Sequence, residues 1–315
     1  MGSRTTGGCF STGRTQRMCN VDVKEKFLEH IKYERRLSPR TVQDYGVSLN
    51  LFAQFLSTLA EPRTLETADS DNIREWMESL MERNCSPAYV NRSLVALRTF
   101  YRYCLSMGIV SIDPARLVNG PKKPRRLPAF VNDSDMDRLD DILKQREQTF
   151  CNVRTRTIIL VLYLTGLRAA ELLSLDDEMI DFVSKEIKVT GKRDKQRIVP
   201  FGDDLLDILQ EYISLRNREA VRTSHALFVD DKGARLTYDK LRRLVREHLA
   251  LVTNQKKRSP HVLRHTFATT MLNHDANIES IRKLLGHQSL NATEIYTHTT
   301  FEQLRRIYNE AHPRS

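Results

Sequence analysis

Hydrophobic residues recur at helical spacing through most of the chain beyond residue 20. In "LSPRTVQDYGVSLNLFAQFLSTL" the positions Val42, Tyr45, Leu49, Phe52 and Leu56 form one stripe of a 3.6-residue period. Ser38-Pro39 just ahead supply a cap and a residue type favoured in a first helical turn. "VDVKEKFLEHIKYERR" precedes this segment, and "SDNIREWMESLMERN" and "SPAYVNRSLVALRTFYRYCLSMG" follow it, the last opening again on Ser-Pro and closing at Gly108. Four such helices within residues 21–110 predict a compact helical bundle.

The pattern then lapses. "DPARLVNGPKKPRRLPAF" spaces Pro114, Pro121, Pro124 and Pro128 among Lys122, Lys123, Arg125 and Arg126, and predicts a linker over residues 111–130. Extended, a proline-spaced segment of this length reaches roughly 55 Å. It reads either as a basic strap that lets two domains pass around opposite sides of a duplex or as a surface linker whose charges only solvate it. Composition does not choose between them.

Periodicity resumes in a second domain over residues 131–315. Helices are expected around Asp133 to Gln148 and Val153 to Leu164. The apolar run "IILVLYL" inside the second marks a buried helix and is far too short to span a bilayer. Gly166 breaks the pattern, and "RAAELLSL" restarts a short helix at Arg168. "EIKVTGKRDKQRIVPF" reads as a β-hairpin around a charged turn, and "ALFV" predicts one more strand before a helix near Thr237. The remainder, including "ESIRKLLGH" and "FEQLRRIYNEA", is helical. The fold class is therefore mainly α with a small antiparallel β-sheet, in two domains and without internal repeats.

Charge sharpens this picture. The chain has 50 Lys and Arg against 40 Asp and Glu among 315 residues, a net charge of +10 that favours a polyanionic partner. Its 5 cysteines, odd in number and irregularly spaced, suit a reducing compartment better than a disulfide framework. The first twenty residues carry Arg4, Arg14 and Arg17 and no acids. They loosely match a transit peptide, and "MGSRTT" fits a myristoylation pattern, but no amphipathic face runs through them. Residues 1–20 are expected to be a disordered basic arm or a cloning remnant.

Candidate chemistry centres on "HVLRHTFA". Ser259-Pro260 should start a helix there, so that His261, Arg264 and His265 share one face. Two histidines four apart on a helix suit zinc, yet the zincin pattern needs glutamate after the first, where Val262 stands. No third ligand lies nearby and no cysteines pair as C-x-x-C, so no metal is expected. Elsewhere in this domain lie Arg168 after its glycine break, Lys192 in the hairpin, His287 after Gly286, and Tyr296 nine residues on. Together these are parts for breaking a phosphodiester without metal or cofactor. His265 reads as structural.

In that order, "TGLRAAEL", "GKRDKQRIVPF", "HVLRHTFA", "LLGH" and "IYTH" resemble the tyrosine recombinases, or phage-integrase-like recombinases, and "YNEAHPRS" is similar to the tails of the bacterial Xer members. The resemblance covers nearly the whole chain from about residue 21. It implies a SAM-like core-binding domain over 21–110 and a catalytic domain over 131–315. It further implies the arginine pair Arg168 and Arg264, the hairpin lysine Lys192, the histidines His261 and His287, the nucleophile Tyr296, and Glu171 as a structural partner of Arg168. The family often has glycine after the lysine; here Arg193 follows Lys192.

The implied activity is site-specific DNA recombination through a 3′-phosphotyrosyl link, in chromosome dimer resolution of Xer type. An integrase or invertase of a mobile element would share the chemistry, and a DNA-binding protein that has lost catalysis is the reading from a different class. Implied partners are a pseudo-palindromic duplex, recombinase protomers forming a homo- or hetero-tetramer, and an FtsK-type DNA translocase. The expected location is the bacterial cytoplasm at the nucleoid. The apolar side of the last helix, with Phe301, Leu304, Ile307 and Tyr308, is expected to dock on a neighbouring protomer.

Overall fold

Backbone capping and stripe burial account for the N-terminal elements. The computed structural model describes residues 23–122, 129–191 and 196–286, together with Tyr308 and Ala311, and the chain divides between Arg126 and Leu127 into two units. In the first unit α1 (residues 23–29) runs into a π-helical turn at His30–Glu34 and is followed by α2 (Pro39–Ser57), α3 (Ser70–Glu82) and α4 (Pro87–Ser106). Helices α2 and α4 begin as the Ser-Pro pairs predict. The Ser38 hydroxyl accepts from the Thr41 N–H and the Ser86 hydroxyl from the Tyr89 N–H, each at 3.2 Å. At α3 the Asp69 carboxylate accepts from the N–H groups of Asp71 and Asn72 while the Asn72 side chain accepts from the Asp69 N–H, a reciprocal capping box. Leu49, Phe52 and Leu56 are fully buried, with Val42 and Tyr45 at the half-buried margin of the same stripe, and they pack with Phe27, Trp76, Leu97 and Phe100.

The expected linker begins too early at residue 111. Ala115 and Val118 are buried in the N-terminal core, and Arg98 donates to both of their carbonyls, at 3.3 and 2.6 Å. Asn91 Nδ2 donates to the Pro121 carbonyl at 2.8 Å. The Asp113 carboxylate accepts from the Ala115 N–H and starts a turn that sends two apolar side chains inward. Proline spacing alone does not distinguish such a packed turn from an extended strap. Only residues 123–128 remain for a strap, and they lie outside the described residues.

The second unit contains α5 (Asp133–Lys144), α6 (Phe150–Thr165), α7 (Ala169–Leu173), β1 (Ile180–Asp181), β2 (Glu186–Thr190), β3 (Gln196–Pro200), α8 (Asp203–Glu219), α9 (Tyr238–Leu249), α10 (Pro260–Asn273) and α11 (Ile278–Leu285). The apolar run lies in α6, which is buried on nearly all sides by α5, α8 and α10. The hairpin forms as predicted, with Ile187 opposite Val199 and Val189 opposite Arg197, and β1 adds a short third antiparallel strand. Helix α8 is an addition to the predicted elements, and Leu205, Ile208, Leu209, Tyr212 and Leu215 bury one helical face of it. "ALFV" forms no strand: it is held by single bridges from Ala226 to Asp176 and from Val229 to Arg235, and by the Tyr212 hydroxyl donating to the Leu227 carbonyl.

Helices α10 and α11 close the core with Phe267, Met271, Ile281, Leu284 and Leu285. Tyr308 and Ala311 are buried in this same cluster. Tyr308, expected on a face directed at a neighbouring protomer, is thus seated within its own chain, where α10 and α11 offer the apolar surface it needs. Phe301, Leu304 and Ile307 lie outside the described residues.

Candidate active site

The site is built where two helices end. Helix α6 stops at Gly166 in the left-handed conformation (φ 61°), and a Cβ there would stand 2.5 Å from the Phe267 ring, so both backbone and space call for glycine. The chain then turns to put Arg168 at the N-cap position of α7. Glu171, one turn on, reaches back: its carboxylate accepts from the Arg168 N–H at 2.8 Å and from Arg168 Nη1 at 2.7 Å. The predicted pairing of these two residues is present.

Helix α11 ends in the same way at Gly286 (φ 63°). Three successive carbonyls at this end each accept from a different arginine: Leu284 from Arg197 Nε at 2.9 Å, Leu285 from Arg264 Nη2 at 2.5 Å, and Gly286 from Arg168 Nη2 at 3.1 Å. Such carbonyls lack partners inside a helix and form the negative end of its dipole, so guanidinium groups both satisfy and are stabilised by them. Arg264 Nη1 also donates to the Gly166 carbonyl at 2.6 Å, which ties the two glycine caps together. Arg168 and Arg264, far apart in sequence, therefore converge.

Arg197, on β3, is a member of this cluster that the motif reading missed. Its Nη1 and Nη2 meet the two oxygens of Glu171 at 2.8 and 2.9 Å in a parallel fork. The available sequence signal was the alternation of "QRIVP": Arg197 and Val199 face inward while Ile198 is exposed, so an arginine occupies a core position of a strand.

Three guanidiniums thus surround one carboxylate, with Arg264 Nη1 at 4.0 Å from Glu171. Burial alone would raise the Glu171 pKa, but the hydrogen bonds and charge of Arg197, joined by Arg168, outweigh it and bring the pKa from 4.5 down to about 2. Burial, aided by the charges of Arg168 and Arg197 and opposed by Glu171, lowers Arg264 from 12.5 to about 10, so it stays charged at neutral pH. Exposure differs within the group: the Arg168 side chain is 30% exposed and that of Glu171 4%, so Arg168 reaches the surface of the cluster and Glu171 does not.

A stability prediction follows from the depressed carboxylate. Its contribution is present above the unfolded pKa near 4.5 and is lost as pH falls from there through about 2. Replacing Glu171 by Gln should lower stability at neutral pH by roughly 3 kcal/mol or less, and the difference from wild type should shrink across that acid window. Thermal melts of the two proteins from pH 7 to pH 2 measure it; a gap that stays constant contradicts the linkage.

The remaining predicted residues divide clearly. His261 stands exposed in the first turn of α10, one turn before buried Arg264, and His265 is half-buried. Pro260 starts α10 as expected, although Ser259 makes no side-chain cap bond. Lys192, His287 and Tyr296 lie outside the described residues; the strands that flank Lys192 and the Gly286 that precedes His287 are described. Among the described residues no group of three or more His, Cys, Asp or Glu side chains converges as a metal site, and no helix is long and apolar enough to cross a membrane.

Known proteins share this organisation. Residues 132–303 match the phage integrase family, and residues 25–108 match the phage integrase N-terminal SAM-like domain. The tyrosine recombinase XerC of Chlorobaculum parvum is 35% identical, covering 92% of this chain and 94% of its own. XerC of Staphylococcus aureus is 33% identical, covering 93% and 97%. Among solved structures, the XerH site-specific recombinase bound to palindromic difH substrate in a post-cleavage complex superposes with a TM-score of 0.69 at 22% identity, covering 93% of this chain and 86% of that one. The Tn1549 transposon integrase in complex with transposon right end DNA gives a TM-score of 0.70 at 17% identity, covering 89% and 97%. These two share the fold. On the matched domains and the XerC relatives, the chain belongs to the phage integrase family and is a site-specific tyrosine recombinase of Xer type, an enzyme that cuts and rejoins DNA.

Proposed function

We propose that Arg168 and Arg264 grip the scissile phosphate, that Tyr296 attacks it, and that Lys192, His261 and His287 handle protons and hydrogen bonds around it. The observation that carries this reading is the convergence of Arg168 and Arg264 on the glycine-capped ends of α6 and α11. Paired guanidiniums suit a phosphorane-like centre, whose non-bridging oxygens gather negative charge. In the step itself the Tyr296 oxygen forms a bond to phosphorus as the bond from phosphorus to the 5′ oxygen breaks. The phenol proton passes to His261, Lys192 supplies a proton to the leaving oxygen, and His287 donates a hydrogen bond to the phosphate. The 3′-phosphotyrosyl ester stores the bond energy for religation, so the cycle consumes no nucleotide.

The substrate is a duplex with a pseudo-palindromic site, bound by a tetramer of this chain or of this chain with a second recombinase. The XerC relatives favour a Xer-type role; the cellular task proposed for it is chromosome dimer resolution, with an FtsK-type translocase as the proposed activating partner. The chemical test is a nicked suicide duplex whose cleavage product diffuses away and leaves the protein trapped on DNA. After proteolysis, mass spectrometry should find the nucleotide on the peptide that contains Tyr296. A nucleotide on any other side chain, or no adduct at all, rejects the assignment.

A further inference from the structure

We propose that Arg197 is a positioning residue for the recombination chemistry: it serves as the dedicated counter-ion of Glu171, so that the charges of Arg168 and Arg264 remain available to the scissile phosphate. The inference rests on the proposed role of those two arginines.

Geometry separates Arg197 from the other two. Its fork occupies both Glu171 oxygens, at 2.8 and 2.9 Å, whereas Arg168 meets the carboxylate through one nitrogen of its guanidinium, at 2.7 Å, and Arg264 stands off at 4.0 Å. The Arg197 side chain is 7% exposed, as buried as that of Arg264 at 8% and unlike the 30% of Arg168, so it is the fork on both Glu171 oxygens that sets Arg197 apart from Arg264. Gly286 allows it this position, since a Cβ there would crowd Arg197 Cδ at 3.3 Å.

Glu171 has two opposed effects on the site. Its carboxylate orients Arg168 through the backbone N–H and Nη1, which pre-organises a phosphate ligand. The same negative charge, buried so close to Arg168, would cancel much of the field that Arg168 presents to a phosphate. A third guanidinium resolves the conflict, because it neutralises the carboxylate and leaves its orienting bonds in place. With Arg197 counted, the cluster of three arginines and one carboxylate keeps a net charge of about two positive units to meet a developing dianion. Arg197 also bonds the Leu284 carbonyl, which fixes the carboxylate against the end of α11 where Arg168 and Arg264 are anchored.

The test compares single-turnover cleavage of two nicked duplexes, one with an ordinary scissile phosphate and one in which a methylphosphonate replaces it and removes a negative charge. Arg197→Gln should slow cleavage of the phosphate about thirtyfold but that of the methylphosphonate by no more than about threefold, because only the charged substrate needs the full field. In a Glu171→Gln background, where no charge needs a counter-ion, the same substitution should cost no more than about threefold on either substrate. Should Arg197→Gln fail to fold, Arg197→Lys carries the same comparison: charge is kept, the fork is lost, and the defect falls to about tenfold with the same selectivity. Equal losses on both substrates mean that Arg197 only props up the fold, and unchanged cleavage of the phosphate means that it does nothing for the reaction; either overturns the inference. Arg168→Ala, run in parallel, separates the two levels. If it cleaves normally, the phosphate grip itself is wrong; if it fails while Arg197→Gln behaves as wild type, only the counter-ion role is lost.

Discussion

Tyr296→Phe should bind its DNA site with wild-type affinity and form no covalent adduct. The substitution removes one oxygen and keeps the ring, so packing and charge around the residue hardly change. Affinity for DNA arises chiefly from cationic contacts to phosphates, none of which a phenol supplies. In the proposed mechanism, by contrast, the chemistry depends wholly on that oxygen. A phenol with an ordinary pKa of about 10 is a weak nucleophile at neutral pH until a base takes its proton and cations stabilise the phosphorane. On the proposed role, loss of the oxygen leaves the reaction without its nucleophile. Gel-shift titration together with adduct trapping on a nicked duplex measures both halves. A trapped adduct from the phenylalanine variant would remove Tyr296 from the mechanism, and a large loss of affinity would show that the hydroxyl also contributes to DNA binding.

Motif order and helical periodicity were the legible parts of this protein. The stripe through Val42, Leu49 and Phe52, the Ser-Pro starts of α2 and α4, the buried α6 and the hairpin of β2 and β3 could all be read from local pattern, because each is encoded within one turn or one strand pair. Arg168, Glu171 and Arg264 were found through their motifs, and the Arg168–Glu171 bond follows from a spacing of three residues at a helix start. The errors share another cause, since they depend on partners remote in sequence. Arg98 and Asn91 bind residues 115–121 into the N-terminal core, so half of an apparent linker is folded. "ALFV" has β-rich composition but finds single bridge partners rather than a strand. Tyr308 reads from its own segment as part of a face for a neighbouring protomer, because the apolar surface of α10 and α11 is invisible from there. Arg197 was overlooked for the same reason, as its carboxylate lies twenty-six positions upstream.

The second large effect is expected at Arg264. Its guanidinium is buried, bonded to the carbonyls of Gly166 and Leu285, and lowered in pKa to about 10, which still leaves it protonated at neutral pH. A buried cation fixed in this way needs little reorganisation when charge builds on a phosphate, and that pre-organisation makes it effective. Two unit charges 4 Å apart at an effective dielectric of 20 interact by about 4 kcal/mol. Arg264→Ala should therefore lose roughly 3 kcal/mol or more of transition-state stabilisation, about a hundredfold in single-turnover cleavage. The same change strips two helix-end carbonyls of their donor, so stability should fall by about 1–3 kcal/mol as well. Arg264→Lys separates the two effects: it keeps the charge but not the fork, so cleavage should recover in part while the carbonyls are met less well. Cleavage of a nicked duplex, measured well below each variant's melting temperature, isolates the chemical term. A wild-type rate from Arg264→Ala under those conditions would leave the convergence of Arg168 and Arg264 a matter of folding alone, and the phosphate grip would have to be sought elsewhere.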